Sequence, residues 1–262
     1  MNTAVARALR ATWPPVIVGA LLLLAWQGAV KVFDWKPYFL PTPTSIADRF
    51  IQYIYLIRPA TWTSGSNAFV GLVAGTVVGV VVAFALMRFK VLNEVVTPLA
   101  IALNAIPIVV LVGVFTKLYP QTSEVPRRLM VTLVVCFVVL INVAKGLRQV
   151  QPIHVELLRS YAASPLAVIR KARIPNAVPY LFTALKIAAP MAVITSFVAE
   201  YFGGQQNGLG YRIPAYLRRD AALGWAFVFA AIFLGLAFYL VSIAVESLIN
   251  QQRGRGPQGE HT

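Results

Sequence analysis

Residues 155–180 read VELLRSYAASPLAVIRKARIPNAVPY and lie between two long apolar stretches of the chain. The segment carries the acidic residue Glu156, four basic residues and three prolines, whereas its flanks are almost free of charge. Prolines disfavour a continuous helix interior, and Lys and Arg are typical of the ends of membrane-spanning segments. The segment therefore predicts a polar connector between two helices that cross a membrane.

The composition of the whole chain supports a membrane protein. Of the 262 residues, 58% are hydrophobic and 12% are charged, and the mean hydropathy is +0.72. A soluble domain carries about 25% charged residues. The net charge of +14 comes from Lys and Arg that flank apolar stretches, which is typical of loops that contact lipid headgroups. No nucleic-acid partner is therefore predicted.

Six apolar stretches approach the roughly 20 residues that a helix needs to span a bilayer. They are residues 16–33, 68–87, 96–118, 129–147, 181–199 and 223–249. The sequence thus predicts an all-α fold, a polytopic membrane helical bundle of about six transmembrane helices. We predict a membrane domain at 16–249, a connector at about 148–179, an N-terminal segment at 1–15 and a disordered tail at 250–262.

The first apolar stretch has a second interpretation as a cleaved secretory signal. It continues to Phe33 without a clear small-x-small cleavage site, which favours a retained span. Six spans place both termini on one side. A small excess of Lys and Arg on that side predicts that both termini, and the connector with them, are cytoplasmic.

The connector predicts two short helices. In the first, Val155, Leu158, Tyr161 and Ala162 recur at spacings that place them on one helix face. This pattern indicates an exposed apolar face that docks on a partner.

The second helix has clear end signals. Ser164 is a suitable N-cap, Pro165 suits the first helical position, and Arg170 lies near the C-terminal end, where cations are favoured. Pro175 is expected to stop the helix. The basic charge predicts a partner groove that offers acidic or carbonyl groups.

Gly71, Gly75 and Gly79 recur at four-residue spacing in the second apolar stretch, which places them on one helix face. Such a stripe predicts a close helix–helix contact, within the bundle or at a dimer seam, but does not name the partner helix.

Few polar residues fall inside the predicted spans. Asn104 and Asn142 could line a translocation path or form hydrogen bonds between helices. Lys186 could contact an anion in the path or extend to the membrane surface. Glu200, at the end of the fifth span, is expected to be exposed, either to the interface alone or to a partner protein.

The sequence offers no catalytic constellation. It has a single cysteine, Cys136, only two histidines, and no HExxH, GxSxG or P-loop pattern. We therefore predict no catalytic residue, no metal site and no cofactor on this chain.

The stretch ELLRSYAASPLAVIRKARIPNAVPYLFTALKIAAP resembles the EAA loop of permease subunits of bacterial ATP-binding-cassette importers. Glu156, Leu157 and Leu158 occupy the Glu-Ala-Ala positions, Ala162 stands where glycine is usual, and Ile174 with Pro175 matches the closing element. INVAKGLRQV, TALKIAAPMAVITSFVAE and PYFLPTPTSIADRF extend the resemblance over most of the chain. The nearest branch is that of the nitrate, sulfonate and taurine permeases, which includes carriers of pyrimidine-like vitamin precursors.

The resemblance implies a multi-pass protein of the bacterial inner membrane that works with several partners. Two permease subunits, expected to be identical, would form the path for a small polar or anionic solute. Separate cytoplasmic ATPases would bind ATP and Mg²⁺ and receive the connector, an extracytoplasmic binding protein would deliver the solute, and membrane lipid would surround the bundle. The implied ATPase-coupling residues are Glu156, Leu157, Leu158, Tyr161, Ala162, Ser164, Pro165 and Arg170.

A stand-alone, gradient-driven transporter is the alternative. Such a carrier needs carboxylates or broken helices near the middle of the membrane. The predicted spans hold almost no carboxylates, since Glu94, Glu124, Glu200 and Glu246 all fall near span ends. Only an ATP-driven importer requires a docking connector.

Overall fold

The computed structural model of the chain describes residues 3–89, 107–120, 122–204 and 207–254. Within these ranges the regular structure is helical and no strand occurs. In chain order the helices are α1 (Thr3–Val32), α2 (Pro43–Gln52), α3 (Ile54–Arg88), α4 (Ile108–Leu118), α5 (Val125–Arg148), α6 (Pro152–Ser160), α7 (Pro165–Val168), α8 (Ile174–Gly203), α9 (Leu209–Leu217) and α10 (Ala221–Gly254). A π-helical turn, Ile169–Arg173, joins α7 to α8.

Four of the described helical stretches are long and apolar enough to cross a membrane. They are Ile54–Arg88, Val125–Arg148, Pro165–Gly203 and Ala221–Ile249, and Val16–Val32 and Ile108–Leu118 are shorter apolar helices. The predicted class, an all-α membrane helical bundle, is confirmed. Residues 96–106 of the third predicted span lie outside the described residues, so the total of six spans stays a prediction.

The chain forms two compact units. The first consists of Met1–Pro59 with Arg212–Ala230. Its aromatic side chains pack together: the ring of Trp26 lies 5.3 Å from that of Trp225 in an edge-to-face arrangement and 6.3 Å from that of Phe229. Edge-to-face and offset rings place the positive edge of one ring near the negative face of another, which stabilises this contact.

The second unit, Ala60–Tyr211 with Ala231–Thr262, contains the main core of α3, α5 and α8. The buried side chains of this core are small or branched, and they include Ala83, Val135, Val139, Ala184 and Ala188. Small side chains let helix backbones approach closely, which strengthens van der Waals packing where lipid removes the hydrophobic driving force between helices.

The glycine stripe of α3 packs against α5. A Cβ atom built on Gly75 would lie 2.6 Å from the Thr132 carbonyl oxygen, and one built on Gly79 would lie 2.8 Å from the Cys136 carbonyl oxygen. A Cβ on Gly71 would collide with Val131. Only glycine permits this backbone approach, so the structure names α5 as the partner helix that the sequence did not identify.

The expectation that Pro175 stops a helix is wrong. The chain is helical without interruption from Pro165 to Gly203, and Pro175 falls in the first turn of α8. The Ile174 N–H donates to the Ile169 carbonyl, an i to i+5 bond of the π turn. Because the wider π turn shifts the bonding pattern just before Pro175, the missing N–H of this proline breaks no regular α-helical ladder.

Two predicted boundaries fall inside helices. Helix α1 begins at Thr3, within the segment predicted as residues 1–15. Helix α10 continues to Gly254, into the predicted disordered tail, and residues 255–262 lie outside the described part of the chain.

Candidate functional site

The connector between α5 and α8 forms a helical pair that exposes apolar side chains. Helix α6 has no buried residue. Leu157 is 53% exposed, Tyr161 78% and Leu166, in the next helix, 73%. Large apolar side chains this exposed, on a connector between two helices that are long and apolar enough to cross a membrane, form an outward apolar surface. We call these three residues, together with exposed Ile153, the docking stripe.

The docking stripe differs from the apolar face expected from the sequence. Val155 and Leu158 are half-buried, whereas Tyr161 is exposed, so these residues do not form one outward face. Ile153, Leu157 and Tyr161 follow one another at four-residue spacing and form the outward face. The sequence contained both patterns, and only the packing of α6 showed which one turns inward.

Helix α6 ends in a Schellman motif. The Ala163 N–H donates to the Leu158 carbonyl at 3.0 Å, and the Ala162 N–H donates to the Arg159 carbonyl at 2.9 Å. This motif requires a left-handed residue at the position after the cap, and Ala162 has φ +53°. Glycine adopts this conformation without a Cβ penalty, which gives a physical reason for the glycine that is usual at this position in the EAA loop.

The predicted start of α7 is confirmed. Ser164 is the N-cap, and its Oγ accepts a hydrogen bond from the Ala167 N–H at 3.3 Å. Pro165 follows in the first turn. The π turn then presents Arg170 and Lys171 to solvent, and Glu156 on α6 is also exposed. The structure thus brings the eight predicted coupling residues into one connector, where their role stays a prediction.

Contacts that the sequence did not reveal fix the connector to the bundle. The Asn176 Nδ2 donates to the Gly146 carbonyl at 2.7 Å, and the Tyr180 hydroxyl donates to Gln149 Oε1 at 2.8 Å. A Cβ on Gly146 would lie 2.8 Å from Ala177 Cα. The end of α5 and the start of α8 are therefore held tightly together, so the connector is mounted on a rigid base.

Two of the three polar residues predicted for a translocation path make contacts within the described bundle. Lys186 Nζ lies 2.8 Å from Glu246 Oε2 in an ion pair between α8 and α10. The Asn142 Nδ2 donates to the Val138 carbonyl of its own helix at 2.8 Å. Asn104 lies outside the described residues. A path role for these three residues stays a prediction.

A buried polar network occupies the opposite end of α8. Glu200 is 0% exposed. Its Oε2 accepts hydrogen bonds from the Ser64 hydroxyl at 2.7 Å and the Gly210 N–H at 3.0 Å, and the Ser196 hydroxyl lies 3.2 Å from Oε1. The Leu209 N–H in turn donates to Ser64 Oγ at 2.9 Å. The expectation that Glu200 is exposed is therefore wrong, because its carboxylate accepts the Gly210 N–H at the start of α9 and its partner Ser64 accepts the Leu209 N–H.

The sequence carried a signal for this network in the glycines that follow Glu200. A Cβ on Gly208 would overlap the Glu200 carboxylate, and one on Gly210 would lie 2.8 Å from Glu200 Cβ. Arg127, also fully buried, donates to the Ser123 carbonyl at 2.6 Å and to Glu124 Oε2 at 3.3 Å. Buried charges in a membrane protein need such partners. The glycines at 208 and 210 permit the close packing of their segment on Glu200, because a larger side chain at either position would collide with it.

Among the described residues, no group of three or more His, Cys, Asp or Glu side chains is placed to hold a metal ion. The absence of a cofactor on this chain stays a prediction.

The chain is similar to known transport proteins over most of its length. Residues 75–255 match the family described as binding-protein-dependent transport system inner membrane component. A probable ABC transporter permease protein of Haemophilus influenzae is 26% identical over 234 residues, which cover 88% of this chain and 94% of the relative. The formylaminopyrimidine transport permease protein ThiX of Halalkalibacterium halodurans is 27% identical over 243 residues, covering 90% of this chain and 93% of ThiX.

The chain is also similar to a riboflavin permease and to a chain of a solved ABC transporter. The riboflavin transport system permease protein RibX of Chloroflexus aurantiacus is 26% identical over 206 residues, which cover 77% of this chain and 76% of RibX. A chain of the MetNI methionine ABC transporter, solved in inward-facing conformations, shares the fold with a TM-score of 0.61 at 19% identity. That similarity covers 74% of this chain and 98% of the MetNI chain.

The family match extends over more than half of the chain and includes the connector, α8 and all of α10. It fits a multi-pass helical bundle, and it makes the protein a non-enzymatic transport component whose ATP hydrolysis takes place on separate chains. The chain belongs to the binding-protein-dependent transport system inner membrane components, the permease subunits of ABC transporters.

Proposed function

We propose that the chain is the permease subunit of an ATP-driven importer and that its connector docks on the ATPase. In this proposal α6 and α7 face the cytoplasm, as do both termini. Two copies of the chain form the path, and an extracytoplasmic binding protein delivers the solute. The docking stripe is the observation that carries the proposal, because exposed apolar side chains at this density need a partner surface.

The helical continuity of the connector with α8 supports a mechanical role. The segment Pro165–Gly203 is helical over 39 residues, which corresponds to roughly 58 Å at about 1.5 Å per residue. A force applied to α7 by a moving ATPase would therefore reach the far end of α8 without crossing a loop. The bonds of Asn176 and Tyr180 to the end of α5 would move α5 together with α8.

For the substrate we propose a small polar heteroaromatic solute of the pyrimidine or vitamin-precursor type. ThiX and RibX, which are named for formylaminopyrimidine and riboflavin, match 90% and 77% of this chain. A bicarbonate transport system permease protein, CmpB of a Synechocystis species, matches only 29% of it. Sulfonates and nitrate are the competing solutes.

The docking proposal is tested by charging the docking stripe. Leu157→Asp and Tyr161→Asp each place a carboxylate in an apolar contact, which should reduce ATPase binding more than tenfold. The measurement is the amount of Walker-A ATPase that co-purifies with the tagged full-length chain in mild detergent, followed by ATP-driven uptake in proteoliposomes. Tyr38→Asp is the matched control, since Tyr38 is an 82% exposed aromatic residue outside the connector.

Two results would contradict the proposal. In the first, both stripe variants retain the ATPase and the uptake of the wild type. In the second, the chain purifies alone and still transports in vesicles without ATP, which would indicate a gradient-driven carrier. For the substrate, uptake of labelled formylaminopyrimidine is compared with that of taurine and nitrate, and a preference for either of the latter would refute the heteroaromatic assignment.

A further inference from the structure

A cavity of about 260 Å³ lies between the C-terminal end of α3 and the inward side of α6, α7 and the π turn. Three arginines, Arg88, Arg159 and Arg173, contribute to its wall. They come from three different elements, so chain neighbourhood alone does not explain their convergence. The remaining wall is largely apolar and includes Met87 and Val168.

The three arginines have no carboxylate partner within the described residues, where the ion pairs involve other side chains. Glu156 lies on the same helix as Arg159, but it is exposed and does not line the cavity. Three arginines that line one cavity without a carboxylate partner among the described residues give it a positive potential. An anion with several acceptor oxygens fits it, because guanidinium donors match the geometry of phosphate.

The position of the cavity indicates where such an anion comes from. Arg88 is the last residue of α3, a helix long and apolar enough to span the membrane, and the next residue, Phe89, is 56% exposed. The Arg88 guanidinium lies 5.5 Å from the centre of the Phe89 ring. Basic residues that follow a span are typical of the membrane–water interface. The cavity therefore lies beside the end of a helix long and apolar enough to span the membrane, where lipid headgroups are expected.

The cavity also lies on the other side of α6 from the docking stripe. Val155 and Arg159 are four residues apart and share the side that lines the cavity. Leu157 is two residues from each, which turns it about 200° away around the helix. A partner protein on the docking stripe therefore does not need to occupy the cavity.

We propose that this cavity binds the phosphate of an anionic phospholipid, with Arg88, Arg159 and Arg173 as donors to the phosphate oxygens. The apolar wall accommodates the glycerol and the first methylene groups of the chains. The bound lipid holds α6 and α7 against the end of α3. This site is independent of the proposed ATPase docking, since it is formed by this chain and lipid alone.

The test is native mass spectrometry of the full-length chain in mild detergent, titrated with phosphatidylglycerol or phosphatidylcholine. We expect one phosphatidylglycerol molecule to bind tightly and phosphatidylcholine to bind at least tenfold more weakly. Arg159→Gln and Arg173→Gln should each weaken phosphatidylglycerol binding about fivefold, and the double variant should weaken it about 25-fold.

Lys171→Gln is the matched control, because Lys171 lies in the same π turn, is exposed and does not line the cavity. It should change the affinity less than twofold. Ala163→Phe is a second test that leaves all three arginines in place, because Ala163 lines the cavity and a larger side chain should exclude the lipid. A thermal unfolding midpoint near that of the wild type shows that each variant is folded.

Four results would overturn the proposal. Phosphatidylglycerol and phosphatidylcholine could bind equally well, or Lys171→Gln could weaken binding as much as Arg159→Gln does. Inorganic phosphate at millimolar concentration could bind in place of the lipid, which would identify a soluble phosphate as the ligand. Finally, the arginine variants could keep the lipid and lose only the co-purifying ATPase, which would identify the cavity as a seat for an acidic side chain of that protein.

Discussion

The two ends of the helical segment Pro165–Gly203 differ in whether their charged and apolar side chains are exposed or buried. At one end, Glu156 on the adjoining helix α6 and Arg170 in the π turn are exposed, and none of the described residues covers the apolar docking stripe. At the other end, the Glu200 carboxylate is buried and accepts hydrogen bonds from Ser64 and Gly210. The polar and apolar groups of the first end are exposed, whereas the Glu200 carboxylate at the second end is paired with donors of the same chain.

The difference shows what a carboxylate does in each setting. Glu156 keeps its water shell, so its loss costs the fold little and its charge is available for recognition. Glu200 has exchanged water for fixed donors, and those donors depend on it in return, because an unmet buried donor is costly. The same residue type is therefore exposed at one end and part of a buried hydrogen-bond network at the other.

Replacement of Glu200 should give the largest effect on stability. Glu200→Ala removes the acceptor of the Ser64 and Gly210 donors and should lower the free energy of unfolding by about 3 kcal/mol. The measurement is reversible unfolding in mixed micelles. Glu156→Ala is the control and should change stability by about 0.5 kcal/mol or less. Equal losses in the two variants would remove the contrast between the two ends.

An intermediate effect on the free energy of unfolding is expected from replacing the ion pair of Lys186 with Glu246. Lys186→Met leaves the Glu246 carboxylate without its partner, and Glu246→Gln does the converse. The double variant should be more stable than the sum of the single losses predicts, with a coupling energy of about 1 kcal/mol. Lys171→Met, at an exposed position, is the control. A coupling energy of zero would show that the pair contributes nothing.

The smallest effect is expected at the turn after α6. Ala162→Gly removes a left-handed strain of about 1–2 kcal/mol, while the glycine adds an entropic cost of about 0.5–1 kcal/mol. The variant should therefore be more stable than the wild type by roughly 0.5 kcal/mol. Ala163→Gly, one residue later and without a positive φ, should be destabilising. If both variants lose stability, the strain at Ala162 is not the controlling term.

Some parts of the fold could be predicted from particular residues, and others could not. Ser164 and Pro165 correctly predicted the start of α7, because helix capping depends on residues adjacent to the helix end in the chain. The glycine stripe predicted a close helix–helix contact but not the partner helix, because the partner depends on packing across the bundle. Pro175 led to the wrong prediction of a helix end, because a π turn that no sequence pattern predicted accommodates the proline within the helix.

The candidate site also has features that could be predicted from the sequence and features that could not. The connector could be located from its charge, its prolines and its resemblance to the EAA loop. The outward residues of α6 could not be identified, because the inward turn of Val155 and Leu158 depends on where α6 packs. The burial of Glu200 was also missed, since its partners Ser64 and Gly210 are 136 and 10 residues away in the chain.

The sequence by itself determined that this is a helical membrane protein with one polar connector, because hydropathy and charge act locally along the chain. It also supported the permease family, which the comparisons then showed. Only the tertiary structure decided which residues face outward on α6, which helix receives the glycine stripe and which carboxylate is buried. These properties depend on contacts between residues far apart in the chain, whose pairing no local pattern encodes.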